Sequence, residues 1–184
     1  MLRTGKKIQK ITQTFIKLLK HVRVTYWGFG ETMINGVKIK QIVVHGSDRG
    51  NFRELIRDDE DLLEEFGQAS VSTTYPGIIK AFHWHEQQDD AWYVLRGNAQ
   101  IVLHDLREDS TTYKETQVLY AGDLYTPCVI IIPYGVAHGY KVLGSEPLMM
   151  LYLTTKSYNV KNPDEKRIAY DDPSIGFDWT VKHT

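Results

Sequence analysis

The sequence predicts an all-β domain, a sandwich or barrel of short strands, with an amphipathic helix in front of it. Three observations carry this. From Val37 onward the apolar residues alternate over short stretches separated by turn residues, from Gln68 these stretches recur every 8 to 12 residues, and no helix intervenes among them. The length of 184 residues, with 42% apolar and 24% charged, suits one globular domain. No internal repeat or low-complexity tract interrupts it.

Taken in order, residues 1–24 place Ile8, Ile11, Phe15, Leu18 and Leu19 at helical spacing with lysines between them, which reads as a basic amphipathic helical extension. Packing on its own domain or on a dimer mate is the plain reading; a peripheral membrane anchor or a targeting peptide shares the same pattern. Residues 25–184 then form a single domain. Val37 to Val44 reads as a strand, Gly46 to Gly50 as a turn, and Phe52 to Ile56 as a short strand. Asp58, Asp59, Glu60, Asp61, Glu64 and Glu65 mark a solvated helix or loop. Strands are expected at 70–74, 78–85, 91–95, 99–106, 116–120, 129–132, 137–143 and 148–154. The tail from Asn162 to Trp179, rich in Pro and Asp, is expected to wrap as turns.

Composition excludes several classes of function. Lys plus Arg number 22 and Asp plus Glu 23, a net charge of −1, so the chain as a whole has no electrostatic reason to hold nucleic acid. The total hides an asymmetry, because Arg3, Lys6, Lys7, Lys10, Lys17, Lys20 and Arg23 face no acid within the first 23 residues and the body is correspondingly acidic. A lone Cys128 makes no intrachain disulfide and no cysteine-rich zinc site, which fits a cytoplasmic protein. The longest clean apolar run, Cys128 to Ile132, is far below the roughly 20 residues of a transmembrane segment.

Period-2 geometry sets His83 and His85 on one face of a strand. Around them stand Gly77, Asp90 and Gly97, and downstream runs Pro133-Tyr-Gly-Val-Ala-His138. This spacing resembles the two cupin motifs, in which paired strands of a double-stranded β-helix, a jelly-roll barrel, deliver His, His, an acid and a final His to the interior. Asp90 stands where that motif usually has Glu, and Val142 where its second half usually ends in Asn.

A closer resemblance covers residues 36 to 180. Asp48-Arg49-Gly50-Asn51-Phe52-Arg53-Glu54, Phe66-Gly67-Gln68, Gly77-Ile-Ile-Lys-Ala-Phe-His83, Val94-Leu-Arg-Gly97, Ile132-Pro-Tyr-Gly-Val-Ala-His-Gly139, Leu151-Tyr152 and Asp171-Asp172-Pro-Ser-Ile-Gly-Phe-Asp-Trp179 together resemble the dTDP-4-dehydrorhamnose 3,5-epimerase family. The resemblance implies an isomerase that inverts C3, C5 or both beside the ketone of a nucleotide-linked 4-keto-6-deoxy sugar. It also implies no cofactor, and a homodimer paired through strand exchange at the barrel edge. It assigns His83 as the base, Tyr152 as the proton donor and Asp172 as the acid that orients the histidine. Arg49, Glu54, Gln68, Lys80 and His138 match positions that bind the nucleotide-diphosphate sugar.

Three departures bear on mechanism. Lys80-Ala81 replaces Arg-Gly, so a fork-like phosphate grip becomes a point charge. The family's active-site lysine aligns with Asp90, and the usual Gln after the histidine is His85. His83, His85, Asp90 and His138 are then also a ligand set for one divalent transition metal. In that alternative, a metal-binding cupin, His83 is a ligand and not a free base.

Overall fold

The computed structural model describes residues 22–24 and 34–180. Its strands in chain order are β1 (Val22–Val24), β2 (Lys38–Gln41), β3 (His45–Ser47), β4 (Gly50–Phe52), β5 (Gln68–Thr74), β6 (Ile79–His85), β7 (Asp90–Arg96), β8 (Asn98–Asp105), β9 (Thr116–Gly122), β10 (Cys128–Ile132), β11 (Val136–Leu143), β12 (Leu148–Thr154) and β13 (Glu165–Arg167). One sheet runs β1-β9-β8-β11-β6-β13, the other β2-β10-β7-β12-β5, and among the described residues β3 and β4 pair only with each other. From β5 to β12 the chain crosses from sheet to sheet at every step except the β8–β9 hairpin, which is the jelly-roll winding. Both sheets keep open edges, so the barrel is a two-sheet sandwich rather than a hydrogen-bonded cylinder.

Alternation explains the core. Trp92 and Val94 of β7, Ile101 and Leu103 of β8, Ile130 and Ile132 of β10, Tyr140 and Val142 of β11 and Met150 of β12 meet between the sheets. The residues in between are not all solvated. Ala91, Tyr93, Val129 and Ile131 turn to the outer face of the five-stranded sheet, where Leu55, Ile56, Leu62 and Leu63 cover them. Phe82, Val102, Val118 and Ala137 turn to the outer face of the other sheet, where the tail lays Ile168, Ile175, Phe177 and Trp179 over them. Burial on both faces is why Cys128 to Ile132 reads as an unbroken apolar run.

Four expectations need correction or fall outside the described residues. The turn and strand expected at 46–50 and 52–56 are a tighter hairpin, in which Gly46 pairs Asn51 and Ser47 pairs Gly50 about Asp48 and Arg49. The acidic stretch is the loop of the expected helix or loop, a run of turns, but not wholly solvated: its leucines pack on the sheet and Glu60 pairs with Lys40, while the other carboxylates face water. The tail is not turns throughout: β13 adds an edge strand to β6, with Glu165 opposite His85 and Arg167 opposite His83. The N-terminal amphipathic helix lies mostly outside the described residues, and the last three residues of that extension, Val22–Val24, are a strand parallel to β9.

Candidate active site

A cleft of about 830 Å³ opens between the sheets, walled by β5, β6, β7 and β12 and by the tail from Lys156 to Arg167. Its floor follows from register. Trp92 lies between Ile130 and Tyr152 in the five-stranded sheet, and His138 pairs with His83 in the six-stranded one. Parity then brings His83, His85, Asp90, His138, Tyr140 and Tyr152 to the space between the sheets.

One irregularity alters that parity. His138 pairs with His83 but Tyr140 pairs with Lys80, so Ala81 and Phe82 together stand opposite Gly139. The bulge turns Lys80, two-state alternation's outward residue, onto the cleft wall beside His83. It depends on glycine: a Cβ at Gly139 would stand 2.7 Å from the Cα of Ala81.

Three imidazoles and a carboxylate converge here, with ligating atoms of His83, His85, Asp90 and His138 all within 4.8 Å of one another. The carbonyl of Val136 lies 2.8 Å from His138 Nδ1 and can only accept, so that nitrogen carries a proton. In neutral His138 the Nε2 lone pair then faces His83 Nε2 at 3.0 Å. Asp90 is buried, held by the Gln88 amide at 2.8 Å and the Trp92 indole N–H at 3.2 Å, with His138 at 3.5 Å and His85 at 3.6 Å. His85 Nδ1 is buried without a hydrogen-bond partner among the described residues.

The second cluster is built of hydroxyls. Tyr152 lies 2.9 Å from Ser72 and 3.1 Å from Tyr140, whose own hydroxyl is 2.8 Å from Thr74. Trp92 joins the two clusters, its ring centroid 5.8 Å from that of His83 and 5.6 Å from that of Tyr152.

The electrostatics follow from burial. Desolvation, reinforced by the His138 charge, pushes the His83 imidazole far below its ordinary 6.5, and desolvation also lowers His85. Burial alone would raise Asp90, but its His138 and His85 neighbours and the Gln88 amide outweigh it and hold Asp90 ionised. Burial and the neighbouring Tyr140 push the Tyr152 phenol above its ordinary 10.0. The site therefore presents neutral His83 and His85, an ionised Asp90 and a protonated Tyr152 phenol around one indole.

The sequence-derived site residues divide. His83, His85, Asp90, Tyr152, Gln68 and Lys80 line the cleft, and His138 is buried directly behind His83. Gln68 bonds Ser70 and receives the Tyr158 N–H. Arg49 and Glu54 do not reach the cleft of this chain: Arg49 sits at the tip of the separate β3–β4 hairpin and Glu54 lies beside Arg57. Asp172 is not among the lining residues either; its carboxylate accepts the Ser174 N–H and closes a turn. Sequence reasoning missed Tyr140, Ser72 and Gln88. Tyr140 carried a signal, since it stands two residues after His138 on the same face. Gln88, in the loop between β6 and β7, carried none.

Comparison with known proteins decides the family. The family model described as dTDP-4-dehydrorhamnose 3,5-epimerase matches residues 31–184. The chain belongs to this dTDP-4-dehydrorhamnose 3,5-epimerase family. Among relatives of the epimerase, the spore coat polysaccharide biosynthesis protein SpsL of Bacillus subtilis is 59% identical over 150 residues, covering 82% of this chain and 99% of that one. A probable low-salt glycan biosynthesis epimerase of Haloferax volcanii is 36% identical, covering 81% and 96%. Among solved structures, a dTDP-6-deoxy-D-glucose-3,5-epimerase of Legionella pneumophila in complex with dTDP-4-keto-L-rhamnose superposes with a TM-score of 0.72 at 28% identity, over 82% of each chain. The protein is thus a sugar epimerase of the isomerase class, which the comparisons favour over a metal-dependent cupin reaction. Among the described residues no helix is long and apolar enough to cross a membrane.

Proposed function

We propose that this epimerase inverts C3, C5 or both in a nucleotide-linked 4-keto-6-deoxy sugar, with His83 as base and Tyr152 as the opposing acid. The observation that carries the reading is that one uncharged imidazole and one protonated phenol, each packed against Trp92, line a single cleft. With His138 Nε2 as acceptor, His83 donates from Nε2, and its Nδ1 lone pair is the base. The proton beside the ketone passes to it, and the resulting enolate is reprotonated from the opposite face. Lys80, brought to the cleft by the bulge, is the cation for the substrate's diphosphate or enolate. No cofactor enters this chemistry.

A second copy of the chain completes the reading. β5 is one edge strand of the five-stranded sheet, with Val71 58% exposed, and the β3–β4 hairpin stands off both sheets with Arg49 at its tip. A homodimer paired at that edge gives the hairpin a neighbouring cleft to enter.

The test is solvent exchange. In D2O with dTDP-4-keto-6-deoxyglucose, proton NMR is expected to show loss of signal at C3, C5 or both. Intact substrate without exchange overturns the reading for that sugar.

The electrostatics fix the pH dependence. A lowered imidazole pKa means His83 becomes protonated only well below 6.5, so the base survives into acid; a raised phenol pKa means Tyr152 keeps its proton beyond 10.0. Exchange measured as kcat/KM is expected to be flat from about pH 5.5 to about pH 9.5. An acid limb centred at the ordinary histidine value would contradict the buried-base assignment.

A further inference from the structure

We propose that His83, His85, Asp90 and His138 form a binding site for a divalent transition metal of the Zn²⁺ class, and that its occupation switches the epimerase off. The second half rests on the reading of His83 as base; the first stands on geometry alone.

The distances suit such an ion. Tetrahedral coordination at about 2.0–2.1 Å sets neighbouring ligand atoms about 3.3 Å apart. Here His83 Nε2 and His138 Nε2 are 3.0 Å apart, His138 Nε2 and Asp90 Oδ2 3.5 Å, and His85 Nε2 and Asp90 Oδ1 3.6 Å. The supporting contacts are those that orient ligands. His138 is fixed by Val136 through Nδ1, which frees Nε2, and the Asp90 oxygens are steered by Gln88 and Trp92.

The cluster is also poorly explained without a cation. Asp90 is only 3% exposed, and its ion-pairing neighbours are histidines, with no Lys or Arg among the described residues within pairing distance. His85 is tied to the cluster through Nε2, 3.6 Å from Asp90 and 3.3 Å from the Gln88 amide, and that is the nitrogen placed to ligate.

The switch follows from the tautomer. Proton abstraction needs His83 protonated at Nε2 with a free lone pair on Nδ1. Coordination through Nε2 requires the other neutral tautomer, with the single ring proton moved to Nδ1, so the lone pair the reaction uses is blocked by that proton. Metal and turnover are mutually exclusive at one side chain.

The experiment uses full-length protein purified without a metal-affinity tag, stripped with EDTA and dialysed against Zn²⁺ or Co²⁺. Near one Zn²⁺ per chain is expected to survive dialysis, and the Co²⁺ form to show the visible ligand-field bands of a low-coordinate site. His85→Gln and Asp90→Asn, each checked for folding by circular dichroism, are expected to weaken Zn²⁺ binding by more than about a hundredfold. Solvent exchange by the wild type is expected to stop on adding one equivalent of Zn²⁺ and to return with EDTA, while whatever rate His85→Gln retains is unaltered by Zn²⁺. No retained metal, or equal retention by both variants, overturns the site and leaves the epimerase reading standing. Exchange that requires the metal overturns the switch and the assignment of His83 as base. Retained metal with no exchange in either form keeps the site and overturns the epimerase reading.

Discussion

His83→Asn is expected to lower kcat/KM for exchange at C3 and C5 by about 10²–10⁴-fold, or about 3–5 kcal/mol of barrier, the range for removing a positioned general base. The size follows from the lack of a substitute. His138 is turned away by its bond to Val136, its remaining nitrogen facing His83 rather than the cleft. His85 lies against Asp90 and Gln88, and Asp90 is held ionised by contacts that would make it a feeble base. Asparagine keeps a polar group near His138 and keeps the bulk of the strand, so the fold is expected to survive, as a circular dichroism melt would check. Exchange that persists within tenfold of wild type would move the base to another residue. Equally informative is binding: since His83 is not assigned to the diphosphate, affinity for the unreactive nucleotide diphosphate should change little, and a large loss there would recast His83 as a binding residue.

The fold was legible where side-chain periodicity had one cause. β5 to β12 alternate because one face meets the other sheet, and their ends fall within two residues of the expected positions. β13 was not legible, because Glu165-Lys166-Arg167 has no apolar residue to signal a strand; its place comes from backbone pairing with β6 and from Asp164, which accepts the N–H groups of Glu86, Gln87 and Gln88. The acidic stretch hid Leu62 and Leu63 because charged neighbours outnumber them, although the sheet they cover needed an apolar partner. The same distinction runs through the site. His83, His85 and Asp90 could be grouped because parity holds between β6 and β7. Lys80 was placed by resemblance against strict alternation, which sets it opposite His83; a bulge brings it to the cleft, and Gly139, on a different strand, is the glycine that makes room for it. Arg49, Glu54 and Asp172 were assigned by resemblance, and nothing in the packing of one chain brings them to the cleft. Tyr140 was within reach of period-2 reasoning, and its role emerges only from the hydroxyl chain it completes.

That chain yields the second large effect. Tyr152→Phe is expected to leave deuterium exchange substantially intact while reducing the inverted product by about 10²-fold or more. Abstraction by His83 and return of a solvent-derived proton to the same face need no phenol; inversion does. The hydroxyl is arranged to give its proton away. If Thr74 donates to Tyr140, and Tyr140 and Ser72 both donate to the Tyr152 oxygen, the two lone pairs of Tyr152 are occupied and its own proton is left for the cleft. Phenylalanine removes that proton and leaves the Tyr140 and Ser72 hydroxyls without their acceptor, a structural cost of about 1 kcal/mol that should not unfold the domain. Tyr140 is the nearest phenol able to take over, so residual inversion in Tyr152→Phe should fall further when Tyr140→Phe is added. The measurement is one NMR time course in D2O reporting exchanged and inverted sugar separately. Parallel loss of both would mean that Tyr152 serves binding or packing, and unchanged inversion would place the opposing acid elsewhere in the cleft, because the same hydroxyl cannot be both dispensable and the group its neighbours are oriented to serve.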